Sequence, residues 1–232
     1  KMTGSFSQAV ETASEVLGVN GRVFPITLDD TKLSLRLRDG TVVEGEHAIE
    51  VTNIPGDERP WLELSPPATI NPQARQAILD ADLVVVAPGL LYGSLAPALL
   101  VRGVTRALAE TKAKKVYVCN LVTKPTQTDG FTVADFVDEI ERFAGVSMDY
   151  VLYNNYRPPQ ELLDKYAHNG EYLVEWDEAE LKKKHYYASG KHLIANGIRQ
   201  HNKKADPLAA LRSLIRHDSD KIARELMRIY FS

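Results

Sequence analysis

Two glycines bracket a short segment that could meet an anion: Pro88-Gly89-Leu90-Leu91-Tyr92-Gly93-Ser94, directly after the apolar run Leu83–Ala87. Glycine lets backbone approach a ligand closely. A serine near a helix N-terminus adds free N–H groups and the positive end of a helix dipole, which suits phosphate or carboxylate. The plain alternative is a tight turn whose glycines supply positive φ. A second polar segment holds Asn120, Thr123, Lys124, Thr126, Thr128 and Asp129. Lys124 could meet phosphate and Asp129 could accept from a sugar or base, but these residue types also build ordinary turns and caps. Asn154-Asn155 fits either a turn or amide contacts to a ligand. In Arg216-His217-Asp218, Asp218 predicts a helix cap, while Arg216 suits a bidentate phosphate contact or a structural ion pair.

Other chemistries have less to stand on. The chain has neither G-x-x-x-x-G-K-S/T nor a strand-following G-x-G-x-x-G, so no standard phosphate loop or dinucleotide fingerprint is present. Its six histidines show no metal-ligand spacing, and no metal ligand is assigned. Cys119, alone at a strand end, reads as a buried thiol rather than a nucleophile. No local Ser-His-Asp motif appears, and no catalytic residue is assigned.

These loops need a frame. The unalternating run Leu83–Ala87 is what a strand covered on both faces looks like. Lys115–Val118 and Tyr150–Tyr153 are similar, and the polar segments follow each of them. A helix is expected over Leu95–Glu110, another over Phe131–Phe143 with Thr132 and Asp135 as a capping box, and a third after Pro158-Pro159. Strands alternating with helices imply a mostly parallel sheet with right-handed crossovers, whose ligands bind outside the carboxyl ends of the strands. The three loops would then converge on one cleft.

The flanking regions differ. Phe6–Leu17 has helical spacing, with Gly18 as its C-cap. Residues 20–66 read as a small β-rich module: strands at Arg22–Leu28, Leu33–Arg38, Thr41–Glu44, Ala48–Asn53 and Trp61–Ser65, with Asp39-Gly40 as a hairpin turn. Asn71-Pro72 starts a helix. Tyr172–Glu175 and His192–Ala195 suggest short edge strands. Ala205–Leu214 and the stretch from Ile222 to Tyr230 suggest helices.

A chain of 232 residues, 44% hydrophobic, can bury a sizeable core. Its 28 Lys+Arg against 31 Asp+Glu, a formal net charge of -3, argue against a nucleic-acid partner. No apolar run approaches the roughly 20 residues of a membrane span. A single cysteine and a first segment unlike a secretion signal point to a cytoplasmic protein.

Taken together, the loops carry a resemblance. Ala81–Val101, reading A-D-L-V-V-V-A-P-G-L-L-Y-G-S-L-A-P-A-L-L-V, resembles the signature of the YvcK family of gluconeogenesis factors, within the CofD-like superfamily. Tyr117–Phe131, reading Y-V-C-N-L-V-T-K-P-T-Q-T-D-G-F, is similar to the family's Y-V-x-N-x-M-T-Q-P-G-E-T-x-G-Y segment. Gly21–Thr27, Asp39-Gly40 with Gly45-Glu46, and Arg216-His217-Asp218 agree as well, in family order from about residue 5 onward. Departures stand beside the matches. Leu90 replaces a serine, Gly93 a threonine, Ala98 an asparagine, and Lys124-Pro125-Thr126-Gln127 replaces Gln-Pro-Gly-Glu.

The resemblance implies a three-layer, Rossmann-like α/β fold with a mostly parallel sheet, of which these residues form the C-terminal portion. It also implies that about 80–130 leading residues, with a Gly-rich phosphate-binding loop, precede Lys1. For function it implies binding of a nucleotide sugar such as UDP-N-acetylglucosamine, in a regulatory role linking carbon metabolism to cell-wall supply and cell shape. Its matched pocket candidates are Tyr92, Ser94, Asn120, Asn155 and Arg216; Pro88, Gly89, Thr123 and Asp129 complete the expected ligand-binding set. The alternative is a CofD-like 2-phospho-L-lactate transferase with a GDP-activated donor and a deazaflavin acceptor. Magnesium would enter only with that alternative, and homo-oligomerisation stays open.

Overall fold

The computed structural model describes residues 4–56, 58–195 and 215–232. Ser5 opens helix α1 (Phe6–Leu17) by accepting the Gln8 N–H, and Gly18 closes it at φ 60°, a left-handed cap suited to glycine. No strand forms at 22–28. Pro25 has no N–H for a ladder, and this extended segment is instead tied to Asn71, whose N–H reaches the Ile26 carbonyl and whose amide reaches that of Pro25.

The β-rich region is an antiparallel sheet with order β2-β1-β3, formed by β1 (Lys32–Arg36), β2 (Val42–Glu44) and β3 (Trp61–Ser65). Gly40, at φ 89°, turns the β1–β2 hairpin. The strand expected at Ala48–Asn53 is instead a short helix, α2 (Glu46–Glu50), which begins after Gly45 and points Ile49 into the core. Leu33, Leu35, Ile49, Ile54 and Leu62 share one hydrophobic cluster with the residues beneath the larger sheet.

Asn71 and Pro72 start α3 (Pro72–Leu79), which leads into β4 (Leu83–Val86). The single helix expected at Leu95–Glu110 is three pieces: a π-helical turn at Leu91–Leu95, α4 (Ala96–Leu100) and α5 (Val104–Glu110). Arg102 breaks the run by exchanging backbone hydrogen bonds with Ala68 and Ile70. Gly103 permits the bend at φ 98°, where a Cβ would stand 2.7 Å from Ile70 Cγ2.

The chain continues through β5 (Lys114–Val118), α6 (Val133–Ala144), β6 (Tyr150–Asn154), α7 (Gln160–Ala167), α8 (Glu178–Leu181), β7 (Tyr187–Lys191) and α9 (Ser219–Tyr230). Thr132 and Asp135 form the expected capping box of α6, and Asp218 caps α9. The last strand of the sheet is Tyr187–Lys191, not His192–Ala195; around the latter lies only an isolated bridge from Ile194 to His217. Residues 172–175 likewise contribute only bridges. The helix expected at Ala205–Leu214 lies outside the described residues.

The larger sheet is wholly parallel, with order β4-β5-β6-β7. Alternation along each strand sorts side chains to two faces. Val84, Val86, Tyr117, Cys119, Val151 and Tyr153 pack with α4, α5 and α6. Val116, Val118, Leu152, Leu83 and Val85 pack under Ile222, Leu226 and Ile229 of α9. Helices, sheet and helix give three layers, with the strand ends at one edge.

Candidate functional site

That carboxyl edge can be read from the strand register. The register pair Val86↔Tyr117, continued three residues, sets Gly89 level with Asn120. The pair Val118↔Leu152, continued two, sets Asn120 level with Asn154, which pairs with Lys191. Side chains convert this level row into a wall. Asn120 Nδ2 donates to the Gly89 carbonyl at 2.8 Å, and the Tyr117 hydroxyl reaches Asn120 Oδ1 at 3.4 Å. The loops after β4 and β5 are thus fastened together.

Five of the nine expected ligand residues lie along this edge. Pro88 is exposed just past β4, and Gly89 is half-buried, with Leu95 packed where its Cβ would be, 3.1 Å away. Asn120 is half-buried between the loops. Asn155 is exposed past β6, its N–H donating to the Lys191 carbonyl. Arg216 is exposed, without an ion-pair partner among the described residues, and its carbonyl accepts from Ala195. His217, its neighbour, brings Nε2 to 3.2 Å from the Cys119 carbonyl, which carries the Arg216 segment to the end of β5.

Four residues are used otherwise. Tyr92 is fully buried, packed edge-on against Phe143 at 6.2 Å, so it belongs to the core rather than the strand-end wall. Ser94 stands inside the π-helical turn and not at a helix start: its N–H is already given to the Leu90 carbonyl at 2.9 Å, leaving only an exposed hydroxyl. Thr123 is buried and exchanges hydrogen bonds with the Tyr172 backbone, through its N–H at 2.7 Å and its hydroxyl oxygen at 3.1 Å. Asp129 accepts the Thr126 N–H at 2.7 Å and closes a turn. Hydrogen bonding thus gives Thr123 and Asp129 structural uses, while the Ser94 hydroxyl stays exposed.

The edge also carries aromatic residues that spacing did not single out. Tyr156 stacks on His192 with ring centroids 3.8 Å apart and planes 19° from parallel. The relevant signal is positional, since each follows a parallel strand, but placing His192 required the correct bounds of β7. Asn154, by contrast, is consumed: its amide bonds the Tyr156 carbonyl and the Leu193 N–H.

Titration along the edge is set by burial. Desolvation pushes the Cys119 thiol up to about 12, so it stays protonated at neutral pH. Burial holds His217 below its ordinary value, with the Cys119 carbonyl opposing only in part; His192 is lowered by burial and then by the Lys221 charge. Both imidazoles resist protonation when folded, so the unfolded chain binds more protons in mild acid. Stability is therefore full above the unfolded histidine range near 6.5 and falls as pH drops below it. A urea midpoint lower at pH 5.5 than at 7.5 is expected, with a smaller difference in His217→Gln; an unchanged difference would clear His217.

Among the described residues, no group of three His, Cys, Asp or Glu side chains could hold a metal ion. No helix among the described residues is long and apolar enough to cross a membrane.

A family model described as 2-phospho-L-lactate transferase CofD matches residues 1–194. A relative from Thermotoga maritima, named for a gluconeogenesis-factor role, is 37% identical over 99% of this chain and 68% of its own length. The gluconeogenesis factor of Bacillus subtilis is 33% identical over 97% of this chain and 67% of its own. A crystal structure of a Bacillus halodurans protein is similar with a TM-score of 0.83 at 28% identity, covering 97% of this chain and 68% of that one. The chain spans about two thirds of these relatives, and 47% of one from Clostridium acetobutylicum.

Proposed function

This chain belongs to the CofD family, among its gluconeogenesis-factor members, and on that premise we propose that it binds a nucleotide sugar of the UDP-N-acetylglucosamine kind in a regulatory role. The observation that carries this reading is the Asn120–Gly89 hydrogen bond, which joins two strand-end loops into one polar wall at the carboxyl edge of a parallel sheet. Such edges are where open α/β sheets take ligands. Gly89 offers backbone for close approach, Asn155 offers an amide, and Arg216 offers a guanidinium suited to phosphate. The regulation would link carbon metabolism to cell-wall supply and cell shape.

Neither Cys119 nor His217 is set up at this edge as a nucleophile or base. A thiol held up to about 12 is a poor nucleophile at neutral pH, and the His217 ring nitrogen is directed at a backbone carbonyl. A transferase reading draws on the description of the matched family model. It predicts product from a GDP-activated phospholactate donor and a deazaflavin.

Calorimetric titration of the intact protein with UDP-N-acetylglucosamine, GDP and other UDP-sugars tests the proposal. Saturable binding of the UDP-sugar is expected, and its absence in a folded sample would end this reading. Arg216→Ala is expected to weaken binding about tenfold or more, as loss of a charged phosphate contact does. Its thermal unfolding should stay near wild type, because the side chain is exposed. Equal affinities would remove Arg216 from the site.

A further inference from the structure

Past Asn155, the edge continues into a cavity of about 460 Å³ between β6, β7 and α8. Tyr153, Tyr186 and Tyr187 line it, together with Asn155, Gly190 and two charged residues of the α8 segment, Glu178 and Lys182. Its size lies in the range of small-molecule sites, and its mixture of aromatic walls with a few polar groups is theirs too. Neither Glu178 nor Lys182 is held in an ion pair among the described residues, although the neighbouring Lys184 pairs with Glu180.

Gly190 keeps the cavity open where it meets Asn155. It is the register partner of Tyr153 in the sheet, and the tyrosine leans across it. A Cβ at position 190 would stand 2.7 Å from both Cζ and Oη of Tyr153, and 3.0 Å from Asn155 Nδ2. Glycine inside a strand is unfavourable for order and packing, so a close approach of other atoms is the usual reason for it. Here the approaching atoms are the aromatic wall and the amide. Tyr186 adds a buried hydroxyl, 4% exposed as a residue, that has no hydrogen-bond partner among the described residues. Buried hydroxyls ordinarily find one.

The charges select the class of ligand. A site for an anion collects cations, and a site for a cation collects carboxylates. Glu178 and Lys182 instead give one acceptor and one donor of opposite sign, beside the donor and acceptor of the Asn155 amide. That set matches a neutral ring carrying several hydroxyls, and the tyrosine rings supply apolar faces for the ring's carbon–hydrogen side. We propose that the cavity between β6, β7 and α8 is the subsite for the sugar ring, with Asn155 at its junction with the nucleotide.

This inference rests on the nucleotide-sugar reading, and the experiment separates the two. Wild-type protein, Gly190→Ala and the double variant Glu178→Gln/Lys182→Ala are titrated with UDP-N-acetylglucosamine and with UDP. In wild type, the sugar nucleotide is expected to bind at least about tenfold tighter than UDP, the difference that polar contacts to the sugar supply. Both variants are expected to reduce that margin to near unity with UDP affinity unchanged. The double variant alters only exposed side chains, so it remains informative if Gly190→Ala fails to fold. A wild-type protein that binds UDP as tightly as the sugar nucleotide overturns the subsite and leaves the nucleotide site standing. A preserved margin in the double variant, or equal weakening of both ligands, also overturns it. Absence of binding by either ligand removes both readings.

Discussion

Tyr92→Ala is expected to destabilise the protein by about 3–5 kcal/mol, the cost of emptying a fully buried aromatic site, with ligand affinity affected only through folding. Tyr92→Phe should be near neutral or slightly stabilising. The Tyr92 hydroxyl is buried beside the Glu139 carboxylate but outside hydrogen-bonding geometry with it, so removing it deletes an unpartnered polar group. Burial first, and the Glu139 charge second, push the phenol well above its ordinary value, so it remains neutral throughout the working range. Urea unfolding of the three proteins beside titration with UDP-N-acetylglucosamine distinguishes core from site. Weaker binding by Tyr92→Phe at unchanged stability would return Tyr92 to the pocket.

The position of Tyr92 shows where reading by residue type reaches its limit. Gly89 marks the loop at the end of β4, because the strand and its end follow from local pattern, but Gly93 falls inside the helical turn Leu91–Leu95 and is buried there. Which side chain of the segment faces inward is set by the helical turn at Leu91–Leu95, within which Tyr92 is buried and the Ser94 N–H is given to the Leu90 carbonyl. Nothing in the spacing announces a π turn. Strand β7 is not legible in the sequence for a related reason. Tyr-Ala-Ser-Gly-Lys has neither an apolar run nor strong alternation, and its place is set by pairing with β6 along five residues. By contrast, Leu83–Val86, the capping box of α6 and the Asp218 cap were legible, since each follows from chemistry within a few residues.

Thr126 adds a case in which the resemblance and the geometry meet. The family pattern has glycine at this position, and Thr126 keeps the positive φ, 65°, that glycine would tolerate freely. Asp129 holds the Thr126 N–H, while the Thr126 carbonyl accepts from Ile54 at 2.6 Å and its hydroxyl donates to the Thr52 carbonyl. Three anchors thus maintain the turn without the glycine. Asp129 thus has a structural use in holding this turn.

Glu139→Ala is expected to cost about 2–3 kcal/mol, because it empties a buried carboxylate site and takes from Arg142 its ion-pair partner, leaving that guanidinium the Pro60 carbonyl. The Glu139 side chain is only 3% exposed and accepts from Arg142 twice, at 2.8 and 2.7 Å, with Arg59 Nε at 3.7 Å. Both arginines are about one-third exposed, so water offsets part of the loss and the figure stays below that for a fully enclosed pair. The consequence extends beyond α6. Arg142 also donates to the Pro60 carbonyl, and Arg59 lies 4.2 Å over the Phe131 ring while pairing with Asp135. Glu139 thereby holds the segment entering β3 against the helix under the parallel sheet. The buried carboxylate also predicts weak salt dependence, unlike the exposed Arg75 and Arg106 pairs with Glu110. Urea unfolding of wild type and Glu139→Ala at low and high salt should give the same difference. A loss that vanishes in salt would place the interaction at the surface, and a negligible loss would mean that apolar packing alone joins the two sheets.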